Sequence, residues 1–92
     1  MSIDENTLLG VDLNLLLTFL VVFRERSVSE AARHLRVTQP AVSGSLVRLR
    51  QFFDDPLFLR RNRKMQPTAK AQQLADALLP AMLQIESVVR HP

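Results

Sequence analysis

Two stretches of the sequence gather side chains of kinds that could act together, one hydrogen-bonding and one cationic. Thr38, Gln39, Pro40 and Ser43 bring an amide and two hydroxyls together where Pro40 suits the first turn of a helix. On a helix lying in a major groove such groups reach base edges. The Gln39 amide can form a bidentate pair with adenine, worth about 1–3 kcal/mol of discrimination. Further along, Arg60-Arg61-Asn62-Arg63-Lys64 sets four cations around one asparagine, a group that fits phosphate oxygens.

Other chemistries lack their residues. No cysteine is present, which removes thiolate catalysis, disulfides and Cys-based zinc sites, and His34 and His91 are too far apart for the usual metal spacings. Gly10 and Gly44 are the only glycines, so no phosphate-cradling loop is on offer. No Ser-His-Asp or paired-carboxylate arrangement is visible, and Asp54-Asp55 before Pro56 reads as a helix break. The expectation is a chain with no catalytic residue, no metal and no cofactor, not an enzyme, working in a reducing cytoplasm.

Charge supports the same direction. Residues 33–70 hold nine basic residues against Asp54 and Asp55, a net of +7, between ends of −3 and −1. A basic centre between acidic ends suits nucleic acid, although a solvated charged face has the same composition.

At 92 residues the chain makes one domain that buries roughly 60–65% of its unfolded surface. With 47% hydrophobic and 23% charged residues it has globular composition, which excludes wholesale disorder. The run Leu15–Phe23 has the length of a signal-peptide core. Its flanks, Asp4, Glu5 and Asp12 before and Arg24-Glu25-Arg26 after, are wrong for one, and it falls short of the roughly 20 residues a membrane span needs. It reads as a buried helix, with no membrane partner.

The positioning elements follow from caps and periodicity. Residues 1–11 show no sustained period and read as a tail or short lead-in. Asp12 caps a helix from Leu13 to about Glu25 that is apolar on two sides, Leu13/Leu16/Leu17/Leu20/Phe23 and Leu15/Phe19/Val22, so it needs a second covering, such as a partner chain. Ser27-Val28-Ser29-Glu30 is a capping box opening a short helix through Leu35. Thr38 caps the next, whose inward stripe is Val42, Leu46, Leu49 and Phe53, leaving Gln39, Ser43, Arg48 and Arg50 off it. Two short helices with Ala31-Ala32 at their crossing suggest a helix-turn-helix, and an ordinary helical hairpin has the same pattern. Leu57 to Pro67 suggests a β-hairpin with Asn62 at its tip, a cationic wing beside the candidate recognition helix. Thr68 caps a last helix to about Val89, where Ala71, Ala75, Leu78, Met82, Ile85 and Val89 form a heptad seam able to pair two chains. Pro80 lies opposite that seam and is expected to bend or split the helix.

The run Ala31–Ser43, AARHLRVTQPAVS, closely resembles the N-terminal DNA-binding domain of LysR-type transcriptional regulators. The Leu-rich helix after Asp12, Asp55-Pro56-Leu57-Phe58, and Pro67-Thr68 before the long helix match that family in the same order, covering residues 12 to about 90. The resemblance implies a mainly α winged helix-turn-helix, three helices plus a short hairpin wing, followed by a linker helix that pairs subunits and normally leads into an effector-binding domain not present in these residues. By the same analogy Thr38, Gln39, Pro40 and Ser43 face bases. Many members have a basic or polar residue directly after that serine, where this chain has Gly44, and glycines in the wing where it has Asn62 and Lys64.

The expected organisation is a tail at 1–11, a winged helix-turn-helix at 12–67 and a linker and dimerisation helix at 68–92. The expected function is sequence-specific binding of double-stranded DNA in bacterial transcription regulation, by a homodimer, with higher assembly open to the intact regulator. Thr38, Gln39, Pro40 and Ser43 would contact bases. Arg48, Arg60, Arg61, Arg63 and Lys64 would contact the backbone, the wing arginines in or beside the minor groove. Ala75, Leu78, Met82, Ile85 and Val89 would pair the chains. The competing reading is a helical protein-interaction module with no role on DNA.

Overall fold

Each long helix starts at a side chain that closes its first turn. The computed structural model describes residues 1–92, in the order α1 (Glu5–Leu8), α2 (Leu13–Glu25), α3 (Val28–Leu35), α4 (Gln39–Phe53), β1 (Phe58–Arg61), β2 (Lys64–Pro67) and α5 (Ala69–Arg90). Asp12 accepts from the Asn14 amide at 2.8 Å, Ser27 from Glu30 at 3.2 Å, Thr38 from Ala41 at 3.2 Å and Thr68 from Ala71 at 3.1 Å. These bonds satisfy amides that the first turn would otherwise leave open.

One core gathers the three helices α2–α4, the hairpin and the start of α5. Phe19 and Val22 meet Ala31 and Ala32 of α3, Val42, Leu46 and Leu49 of α4, Leu57, Phe58 and Met65 of the hairpin, and Ala71 and Ala75 of α5. The paired alanines give α3 its close approach. Both apolar sides of α2 are used: Leu20 and Val21 join Phe19 and Val22 in the core, Phe23 packs against it, and only Leu13 and Leu17, toward the amino end, remain exposed.

The antiparallel hairpin pairs Phe58 with Pro67, Leu59 with Gln66, Arg60 with Met65 and Arg61 with Lys64. Its two-residue turn is Asn62-Arg63, with φ of 51° and 67°. Positive φ at both central residues is the turn whose twist matches the strands. Asn62 tolerates it readily, whereas Arg63 holds a conformation disfavoured for a residue with Cβ. The hairpin is tied down at its base. The Met65 amide donates to the Arg26 carbonyl at 3.0 Å, and the Thr68 amide to the Leu57 carbonyl at 2.9 Å.

Four expectations need correction. Residues 5–8 form a single helical turn, capped by Asp4, which four residues are too few to announce by periodicity. The capping box at Ser27 is half made, because the Glu30 carboxylate takes the Arg33 guanidinium at 2.9 Å, a charged donor stronger than the Ser27 amide. Of the two outcomes expected at Pro80, a bend or a split, the split is excluded, because the last helix is continuous over 22 residues. The proline costs one donor on an exposed face, where water can satisfy the freed carbonyl. Ala75 is not part of a free seam. It is 5% exposed in the domain core, because its small side chain lets α5 pack against α2.

Candidate nucleic-acid interface

α4 is built to show one side. Its stripe of Val42, Leu46 and Leu49 is buried, which turns Gln39, Pro40, Ser43, Gly44, Val47 and Arg48 outward. Thr38 spends its hydroxyl oxygen on the cap and keeps its proton to donate. Gln39 and Ser43 are exposed toward the amino end of α4, where the helix dipole favours negative charge. Before this turn stands Arg36, exposed and left-handed at the end of α3.

The wing supplies the other surface. Arg60, Arg61, Arg63 and Lys64 are all exposed, and none joins an ion pair: the four pairs are Arg24–Glu25, Arg33–Glu30, His34–Glu25 and Arg90–Glu86. Arg61 and Lys64 are direct cross-strand partners. Like charges so placed repel, a cost that an anion between them removes. The hairpin leaves α4 by a short link whose Pro56 carbonyl accepts from Arg50 Nε at 3.0 Å, so Arg50 serves the fold.

Sequence reasoning missed the residue that roots the wing. Asp55 Oδ2 accepts from the Thr68 hydroxyl at 2.7 Å and from the Leu57 amide at 2.8 Å. This holds Leu57, fully buried, at φ 63°, a left-handed conformation that a leucine avoids. An Asp-Pro step followed by a buried leucine was the available signal, and it reads first as a helix break.

The residues of the expected seam divide. Ala75 is in the core, Leu78 and Met82 pack against it, and Ile85 and Val89 are 40% and 72% exposed. A cavity of about 530 Å³ runs between α2 and α5, with Leu17, Leu20, Leu79 and Leu83 among its walls. No cluster of His, Cys, Asp or Glu gathers to hold a metal, and no helix is long and apolar enough to cross a membrane.

Residues 13–72 match the family described as bacterial regulatory helix-turn-helix protein, lysR family. The sequence is similar to Nodulation protein D 2 of Bradyrhizobium elkanii, 44% identical over 77 residues that make up 84% of this chain and 23% of that protein. The chain thus spans about a quarter of the length of such curated relatives. A probable transcriptional regulator from Pseudomonas aeruginosa superposes with a TM-score of 0.83 at 44% identity, over 86% of this chain and 26% of that one. The BenM DBD in its complex with catB site 1 DNA has a TM-score of 0.80 over 87% of this chain and 89% of its own, and at 22% identity shares the fold alone.

Proposed function

The chain belongs to the lysR family of bacterial regulatory helix-turn-helix proteins, as the DNA-binding domain of a transcriptional regulator, and on that premise we propose how it meets a duplex. α4 enters the major groove with Thr38, Gln39, Pro40 and Ser43 at the base edges. Gln39 pairs with adenine, and Arg60, Arg61, Arg63 and Lys64 of the wing take phosphates or the adjacent minor groove, with Arg48 on the backbone. The observation that carries this reading is the division of α4: its core stripe holds the helix while Gln39 and Ser43 stand free of any partner in the chain.

Two copies pair through the outer part of α5, with Ile85 and Val89 at the centre and Leu78 and Met82 at the margin, so a two-fold site is read by two copies of α4. The setting is cytoplasmic, and no catalytic step or cofactor enters. The BenM domain, which shares the fold, was solved on DNA.

The test is selection of binding sites from a random pool of duplexes, followed by titration in salt. The expected result is a sequence-dependent complex whose affinity falls steeply with ionic strength, as displaced counterions require. A salt-insensitive complex, or none, overturns it in favour of a protein-interaction module.

A further inference from the structure

The outermost line of α4 is neither charged nor hydrogen-bonding over its first two turns. Pro40, Gly44, Val47 and Gln51 repeat the spacing of the core stripe Val42, Leu46, Leu49 and Phe53, displaced by two residues, about 200° around the helix. All four are exposed, and three of them, Pro40, Gly44 and Val47, form a bare and apolar crest. A single exposed valine needs no explanation, and Val47, 48% exposed, would pass as one. Its neighbour one turn earlier does need one. Gly44 sits mid-helix, where glycine is the poorest residue after proline, yet its φ is not positive and a Cβ there would meet nothing within 4 Å. Neither backbone conformation nor packing inside the chain calls for glycine.

Resting on the DNA reading above, we propose that Gly44 and Val47 form a thymine-reading surface. The major groove displays one apolar group, the C5-methyl of thymine. The missing side chain at Gly44 lets the helix backbone come close to the base edges, and the Val47 methyls, one turn on, close over the thymine methyl. Specificity on this line comes from burying a methyl rather than from a hydrogen bond, which complements the Gln39 amide at the helix start.

The test uses this chain and the duplex it selects from a random pool, with each thymine replaced in turn by deoxyuridine, which lacks only the C5-methyl. At one position per half-site the replacement weakens binding roughly threefold to fivefold, the size expected for one buried methyl. Val47→Ala, at an exposed site that leaves the core intact, loses that sensitivity at the same position. Gly44→Ala raises the melting temperature and weakens binding. The inference is overturned by indifference to every replacement, by full sensitivity in Val47→Ala, by a selected site without thymine, or by undiminished affinity in Gly44→Ala. A chain that selects no duplex overturns the DNA reading as well, whereas a salt-sensitive complex indifferent to thymine methyls overturns this inference alone.

Discussion

Thr68, the cap of α5, donates its hydroxyl to Asp55 at the foot of the wing across 2.7 Å, so the residue that starts the long helix also closes the base of the hairpin. The same carboxylate oxygen takes the Leu57 amide at 2.8 Å. Two segments 13 residues apart are joined at one atom.

Removing that atom leaves a part-buried amide and hydroxyl without their acceptor. Asp55→Ala is expected to cost about 2 kcal/mol, which for a domain of this size lowers the melting temperature by on the order of 10 °C. Asp55→Asn keeps an acceptor and loses less. Thermal unfolding followed by circular dichroism checks both, and an Asp55→Ala chain as stable as the parent removes the carboxylate from the account.

On a selected duplex, the two surfaces should fail differently. Arg63→Ala is expected to weaken all sequences about equally and to reduce the salt slope by about 1, because one phosphate contact is lost. Gln39→Ala should lower discrimination at a single adenine by about 1–3 kcal/mol while leaving the slope alone. Fluorescence anisotropy at several salt concentrations separates the patterns, and identical behaviour of the two variants contradicts the division of labour.

Pairing of chains is best tested away from the core. Met82 packs against it, so an aspartate there would disturb the fold along with any interface, whereas Ile85 is 40% and Val89 72% exposed. Ile85→Asp and Val89→Asp should sediment as monomers with helix content unchanged, since each places a charge where two apolar surfaces would meet. A dimer that survives both changes rules out the outer part of α5 as its seam.

Glu30 offers a pH signature. The hydrogen bond from Arg33, and then its charge, hold the Glu30 carboxyl below the ordinary glutamate range, while the same pair raises Arg33. A depressed carboxyl stabilises the fold above its unfolded value, about 4.3, and that contribution disappears as pH falls through the lower folded value. The melting temperature of the parent should therefore exceed that of Glu30→Gln by a constant small margin above about pH 5 and converge with it in acid. Both groups are exposed, so added salt should shrink the margin. A margin that grows toward acid has the wrong sign.

What could be read from the sequence was whatever a few neighbouring residues decide among themselves. Asp12, Ser27, Thr38 and Thr68 each find their amide within three residues, so the helix starts were legible, and Asn62 marked the turn for the same local reason. The outward placement of Gln39 and Ser43 followed from the stripe of Val42, Leu46 and Leu49. What stayed hidden depends on the partner a group meets in space. Ala75 fits a heptad seam and a domain core equally well, and only the position of α2 decides between them. The reach of Asp55 to Thr68 and the choice of Arg33 by Glu30 are likewise selections among competitors.

The long helix is clamped at one end. Ala71 and Ala75 are locked into the body of the domain, Leu78 and Met82 pack against it, and the helix continues unbroken past Pro80 to Arg90, projecting about 12 Å beyond Met82. With no break in that helix, a displacement of its free tip is carried toward the head rather than taken up in a loop. The angle at which two such beams cross would then dictate how far apart, and at what pitch, the two heads arrive on their target.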